Sequence, residues 1–146
     1  MSEYPLPYQS TDLTGQVAFV TGTTAGLGKR FAQVLAACGA KVIVTGRRVD
    51  RLEALSAEIN ASGGQAAPVA VDMTDRSSIR NALKAAEDLF GTVTILVNNA
   101  GIPDAQRAVK MDDELMDAVF ETNLIGPWVL SVEVAKRLIA AERPGR

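Results

Sequence analysis

Three glycines carry the clearest chemical signal in this 146-residue chain. Gly22, Gly26 and Gly28 stand in Thr-Gly-Thr-Thr-Ala-Gly-Leu-Gly, directly after the apolar run Val17 to Val20 and directly before a stretch of helical periodicity. Glycine lets a backbone turn sharply and approach a ligand closely, and a helix N-terminus offers free N–H groups and positive potential to a pyrophosphate. In that strand-to-helix setting the loop reads as a phosphate cradle; outside it, the same glycines make only a tight turn. A second signal lies about 20 residues further on, where the next strand of a dinucleotide-binding unit ends, in Gly46-Arg47-Arg48. A carboxylate there bonds a ribose 2′-hydroxyl, whereas a guanidinium without the carboxylate suits a 2′-phosphate. Arginine stacks on adenine and forks two donors toward phosphate oxygens, so Arg47 and Arg48 point to NADP, with NAD left open. The bland alternative is a solvated arginine pair leading into a helix.

Other chemistries are excluded by composition. With no histidine and one cysteine, histidine metal sites, Ser-His-Asp triads, Cys-His pairs and zinc clusters cannot be assembled from this chain, nor can an intramolecular disulfide. Cys38 falls on the expected buried face of a helix and reads as a small core residue. Fifteen Lys and Arg against 17 Asp and Glu, with no polybasic run, disfavour nucleic acid or an anionic membrane as partner. No apolar stretch approaches a bilayer span. Residues 1–13 lack a secretory pattern and read as a polar lead-in on a cytoplasmic protein, with a single domain over residues 14–146.

The elements that must hold these loops follow from periodicity. Runs beginning at Val17, Val42, Val69 and Ile95 are apolar at every position, as strands buried on both faces of a parallel sheet are. Between them the period turns helical: Leu27, Phe31, Val34, Leu35 and Cys38; Leu52, Leu55 and Ile59; Ile79, Ala82, Leu83, Ala86 and Phe90. Asp50 with Glu53 resembles a capping box, and Gly39, Gly63 and Gly91 mark helix ends. The series is βαβ, and right-handed crossovers give an α/β, doubly wound parallel sheet of order 3-2-1-4, with Pro68 on an edge. A further helical region from Asp112 to Ala141 is expected to kink or break at Gly126-Pro127.

The glycine spacing is T-G-x-x-x-G-x-G and not G-x-G-x-x-G, and the fourth strand ends in Asn98-Asn99-Ala100-Gly101. Together these motifs resemble the short-chain dehydrogenase/reductase family, nicotinamide-dependent oxidoreductases on a Rossmann fold, over about Leu13 to the end. The resemblance implies that Thr24 and Leu27 touch the pyrophosphate and that Asn99, Ala100 and Gly101 wall the adenosine ribose. It implies that Asp72, followed by Met73, bonds the adenine amino group; a helix cap is the alternative use of such a carboxylate, though Thr74 or Asp75 suits a cap better. Gly46 takes the position where NAD-preferring relatives carry an acid, while Ala25 stands where many NADP-preferring ones carry a base. Asn123 in Glu-Thr-Asn-Leu resembles the catalytic asparagine that holds a water of the proton relay; a surface asparagine beside the Gly126-Pro127 break is the alternative.

The implied reaction moves hydride between nicotinamide and a carbonyl or alcohol carbon, with Tyr-x-x-x-Lys and a serine doing the proton transfer. The only tyrosines, Tyr4 and Tyr8, precede the first strand and lack that lysine. The expectation is therefore a cofactor-binding half of a longer reductase, with Ala141 to Arg146 turning toward a fifth strand and the outer edge of the fourth strand unpaired. A homo-oligomer paired through the Asp112 to Ala141 region is implied by the same resemblance. Other uses of the chain are a non-catalytic NADP-binding module or an inactive fragment.

Overall fold

A short run that is apolar at every position needs cover on both faces of the strand it forms. The computed structural model, which describes residues 11–103 and 107–146, meets that need with β1 (Val17–Val20) and β2 (Lys41–Gly46) at the centre of one parallel sheet. β3 (Gln65–Ala70) flanks β2 and β4 (Ile95–Val97) flanks β1, in the expected order 3-2-1-4. Phe19 pairs with Ile43 on one side and Leu96 on the other. Tyr4, Tyr8 and most of the polar lead-in lie outside the described residues.

Alternate side chains of the central strands feed two cores. Ala18, Val20, Val42 and Val44 pack with Ala32 and Ala36 of α1 (Gly26–Ala37) and with Leu52, Leu55 and Ile59 of α2 (Val49–Ala61). Val17, Phe19 and Ile43 face the other way, onto Ile79 and Leu83 of α3 (Arg76–Phe90) and Val129, Leu130 and Val134 of α5 (Gly126–Ala140). This is the doubly wound arrangement. On the second face a charged cluster joins the helices: Glu133 accepts from Arg80 of α3 and from Arg137, which also meets Glu87.

Several local expectations are corrected. In α1 the residues fully buried are Gly28, Ala32 and Ala36, one position out of phase with the expected stripe; Leu27, Phe31 and Val34 are exposed, and Leu35 and Cys38 only half-buried. The small side chains let α1 lie close on a sheet whose own valines fill the gap. α2 begins at an N-cap Arg48 that makes no side-chain cap, with Asp50 already in the first turn, so no capping box forms there. β3, an edge strand, buries only Ala66 and Val69, and Pro68 sits exposed in it, as expected of an edge. The outer edge of β4 is not bare: Arg146 N–H donates to Thr94 O, and Leu96 N–H donates to Arg146 O, both at 2.9 Å, the pattern of a parallel bridge.

The irregularity expected at Gly126-Pro127 takes the form of a π-helical turn just before the pair, and the helical path is not broken. α4 (Asp113–Phe120), capped by Asp112 accepting from Leu115 N–H, runs through a π-helical turn at Glu121–Ile125 into α5, with helical dihedrals at both junctions. Proline in a regular helix lacks an N–H and crowds the carbonyl four residues earlier. Here the wider turn takes up that mismatch, with Gly126 N–H reaching Glu121 O. Gly126 is also where α5 presses on the loop after β3, since a Cβ there would stand 2.3 Å from Met73 O. Helix propensity alone makes Gly126→Ala stabilising by ~1 kcal/mol. The contact reverses the sign: the variant is expected to lose about 1–3 kcal/mol in urea unfolding.

Candidate functional site

Strands of a parallel sheet deliver their carboxyl ends to one rim, and here that rim holds a cavity of about 540 Å³. The volume lies within the range of small-molecule and cofactor sites, ~300–1,000 Å³. The glycine loop supplies one wall through Gly22, Thr24, Leu27 and Gly28. The crest of β2 adds Arg47 and Arg48, the loop after β3 adds Asp72 and Met73, and the turn after β4 adds Asn99, Ala100 and Gly101. Two expected residues are not in the lining: Gly26 opens α1 at the exposed tip of the loop, and Asn123 is replaced in the wall by its neighbour Thr122.

The loop is held by packing that only glycine allows. Gly22 has φ of 69° and a Cβ on it would stand 2.8 Å from Ala100 Cα. A Cβ on Gly28 would stand 2.3 Å from Gly22 O and 2.4 Å from Asn99 Nδ2. Gly26, with φ of 58°, has nothing within 4 Å of that position, so the loop tip stands open. Ala25 precedes α1 without a side-chain cap, and the first turn contains no acid. The N–H groups there are thus left for an anionic group, as a pyrophosphate cradle requires.

Sequence reading missed the hydroxyls that lock these parts together. Thr21, fully buried at the end of β1, accepts from the N–H groups of both Asn99 and Ala100 at 2.9 Å, and its hydroxyl donates to Val97 O at 3.3 Å. Asn99 Nδ2 returns bonds to Thr21 O and Gly22 O. Thr23 donates through N–H and hydroxyl to Thr45 O, and Thr45 Oγ1 donates to Val20 O. Three threonines at the carboxyl ends of two strands were the available signal, since a buried hydroxyl must find a partner. Asn98 turns outward and ties the rim to α5, Nδ2 to Ser131 Oγ at 3.0 Å.

Charge at the rim is arranged around Asp72 and the arginine pair. Asp72 Oδ1 accepts from Thr74 N–H at 2.9 Å and Thr74 Oγ1 at 2.8 Å, while the helix cap proper is Asp75, which accepts from Ser77 N–H. The Thr74 N–H and then its hydroxyl hold the Asp72 carboxyl below the ordinary carboxylate value; burial opposes them, and the charge of Arg47 adds the smallest lowering effect. Arg48 Nη2 donates to Thr24 Oγ1 at 2.7 Å.

The family model for short chain dehydrogenases matches residues 16–146. The chain belongs to the short-chain dehydrogenase/reductase family. It is 38% identical over 134 residues to galactitol 2-dehydrogenase of Agrobacterium fabrum, covering 92% of this chain and 51% of that protein. It is also 38% identical over 132 residues to the 3-oxoacyl-[acyl-carrier-protein] reductase of Escherichia coli, covering 90% and 52%. Among solved structures, a short-chain type dehydrogenase/reductase from Mycobacterium marinum superposes with a TM-score of 0.88 at 32% identity, over 92% of this chain and 55% of that one. A metagenomic short-chain oxidoreductase in complex with NADP does so at 0.85 and 36%, over 92% and 61%. The chain spans about half the length of the curated relatives it matches. Among the described residues no helix is long and apolar enough to cross a membrane.

Within this family framework Asn123 has a defined setting. It lies on the π-turn, exposed, and its amide grips one residue twice: Ile102 N–H donates to Oδ1 at 2.8 Å and Nδ2 donates to Ile102 O at 3.0 Å. A Cβ on Gly101 would come 3.2 Å from the same Oδ1. Asn123 therefore fastens the segment after β4 to the helix that faces it.

Two measurements check this geometry. Thr21→Val leaves the part-buried N–H groups of Asn99 and Ala100 without their partner and is expected to cost about 1–3 kcal/mol in urea unfolding, with Thr21→Ser restoring most of it. For Asp72, a native pKa below the unfolded one means its contribution is full above the ordinary carboxylate range and is lost as pH falls through the depressed native value. Asp72→Asn should remove that part of the acid limb in a thermal-midpoint profile.

Proposed function

We propose that this chain forms the coenzyme-binding part of an NADP-preferring oxidoreductase that transfers hydride between the nicotinamide and a carbonyl or alcohol carbon. The observation that carries this reading is the rim cavity with Arg47 and Arg48 at the β2 crest and glycine at the position of a ribose-binding carboxylate. The residues present fit such a dinucleotide: glycines that admit close approach, an uncapped helix start, and guanidinium groups beside the adenosine end. Bound there, the coenzyme would supply the hydride or accept it. The chain's own part is positional. The loop N–H groups and Thr24 would take the pyrophosphate, Arg47 and Arg48 the 2′-phosphate, Asp72 the adenine amino group, and the backbone of Asn99 to Gly101 the ribose.

Asn123 would join the proton relay, since Oδ1 can accept and Nδ2 donate one bond each beyond those to Ile102. Tyrosine, lysine and serine for the proton transfer would come from residues other than these 146. Phe120, Leu124 and Trp128 are 53%, 56% and 65% exposed along the α4–α5 face, which supports pairing with a second copy there. The non-catalytic reading, a module that binds NADP without turnover, is favoured by one observation: neither tyrosine of the sequence has a lysine four residues on.

A fluorescence titration tests the coenzyme reading. NADPH is expected to bind more tightly than NADH, and Arg47→Ala to weaken NADPH about tenfold or more while leaving NADH nearly unchanged. Equal affinities for the two coenzymes would sink the preference. Turnover of a carbonyl panel by the chain itself would overturn the binding-module reading.

A further inference from the structure

Gly46 ends β2 without a left-handed dihedral, so its backbone conformation does not call for glycine. Space does. A Cβ at that position would stand 3.1 Å from Thr24 Cγ2 and 3.7 Å from Leu52 Cδ2. The second distance is ordinary contact; the first requires the threonine methyl to give way. Thr24 is poorly placed to give way. It is β-branched and stiff about χ1, and its hydroxyl is held by Arg48 Nη2 at 2.7 Å across the cavity wall. Its neighbour Thr23 is fully buried and doubly bonded to Thr45 O, which anchors the loop immediately before it to β2. Rotating the methyl away from position 46 would carry the hydroxyl off Arg48.

We infer that Thr24, pinned by Arg48, is a specificity-determining residue: its methyl group keeps a side chain out of position 46, where a carboxylate would bond a ribose 2′-hydroxyl. The discrimination between coenzymes is then shared by two loops. The arginines of the β2 crest favour the phosphate, and the glycine loop holds the site closed to the acid that would replace them. This inference deepens the coenzyme reading proposed above and rests on it for its meaning.

The test is a double-mutant cycle in which Thr24→Ser removes only the methyl and keeps the hydroxyl for Arg48. Gly46→Asp alone should gain little NADH affinity in a fluorescence titration. In the Thr24→Ser background the same change should gain about tenfold more, the size of coupling found between residues in direct contact. Equal NADH gains in the two backgrounds would overturn the inference. Thermal melting supplies a second reading that needs no ligand. Gly46→Ala should lower the midpoint beside Thr24 and lower it less, or raise it, in the Thr24→Ser background; identical shifts would again overturn the inference. The coenzyme reading fails separately, if the unmodified protein binds NADH as tightly as NADPH, because the coupling between positions 24 and 46 is measured whichever coenzyme is preferred.

Discussion

The rim of the sheet depends on one buried hydroxyl. Thr21 Oγ1 collects the N–H groups of Asn99 and Ala100, which come from the turn after β4, far along the chain, and binds them to the end of β1 where the glycine loop departs. Asn99 completes the joint from the other side by bonding the carbonyls of Thr21 and Gly22. The backbones meet so closely that neither Gly22 nor Gly28 has room for a Cβ. Loss of any member would strip polar groups of their protein partners at several points at once, so the motif behaves as one unit and not as a set of separate contacts.

That tightness explains which parts of the molecule could be seen in the sequence. The strands Val17–Val20 and Ile95–Val97 coincide with their apolar runs, the first because it is buried at every position. The order 3-2-1-4 follows from βαβ spacing and handed crossovers. Nearly all the residues expected around a coenzyme meet at one cavity, since each lies at a strand's carboxyl end. In α1 the reading failed in phase. Leu27, Phe31 and Val34 share their helical period with Gly28, Ala32 and Ala36, and apolar size suggested the wrong set; closeness to the sheet, which favours small residues, is a tertiary demand that periodicity does not carry. Thr21, Thr23 and Thr45 escaped for a related reason: a threonine's partner is set by which strands neighbour each other.

Electrostatics divides the molecule along its sheet. At the rim, Arg47 and Arg48 stand exposed beside a carboxylate, Asp72, whose charged form is kept by Thr74 and aided by Arg47. The exposed guanidinium groups are thus balanced by an acid that is already engaged. On the α3–α5 face the charges satisfy one another: Glu133 gathers Arg80, Lys136 and Arg137, foremost Arg137, and its carboxyl is held below the ordinary range. The first arrangement suits a ligand and the second suits docking of a helix.

The π-turn at Glu121–Ile125 sets the angular phase of everything after it. A helix advances about 100° per residue, so the one additional residue held in the wide turn rotates α5 by that amount relative to a continuous α-helix. It is this rotation that presents Val129, Leu130 and Val134 to α3 and leaves Trp128 outside. It also presents Gly126 to Met73 O. The turn is consequently a counting device: a chain one residue shorter there could form an unbroken helix of better hydrogen bonds and yet show the wrong face to the sheet.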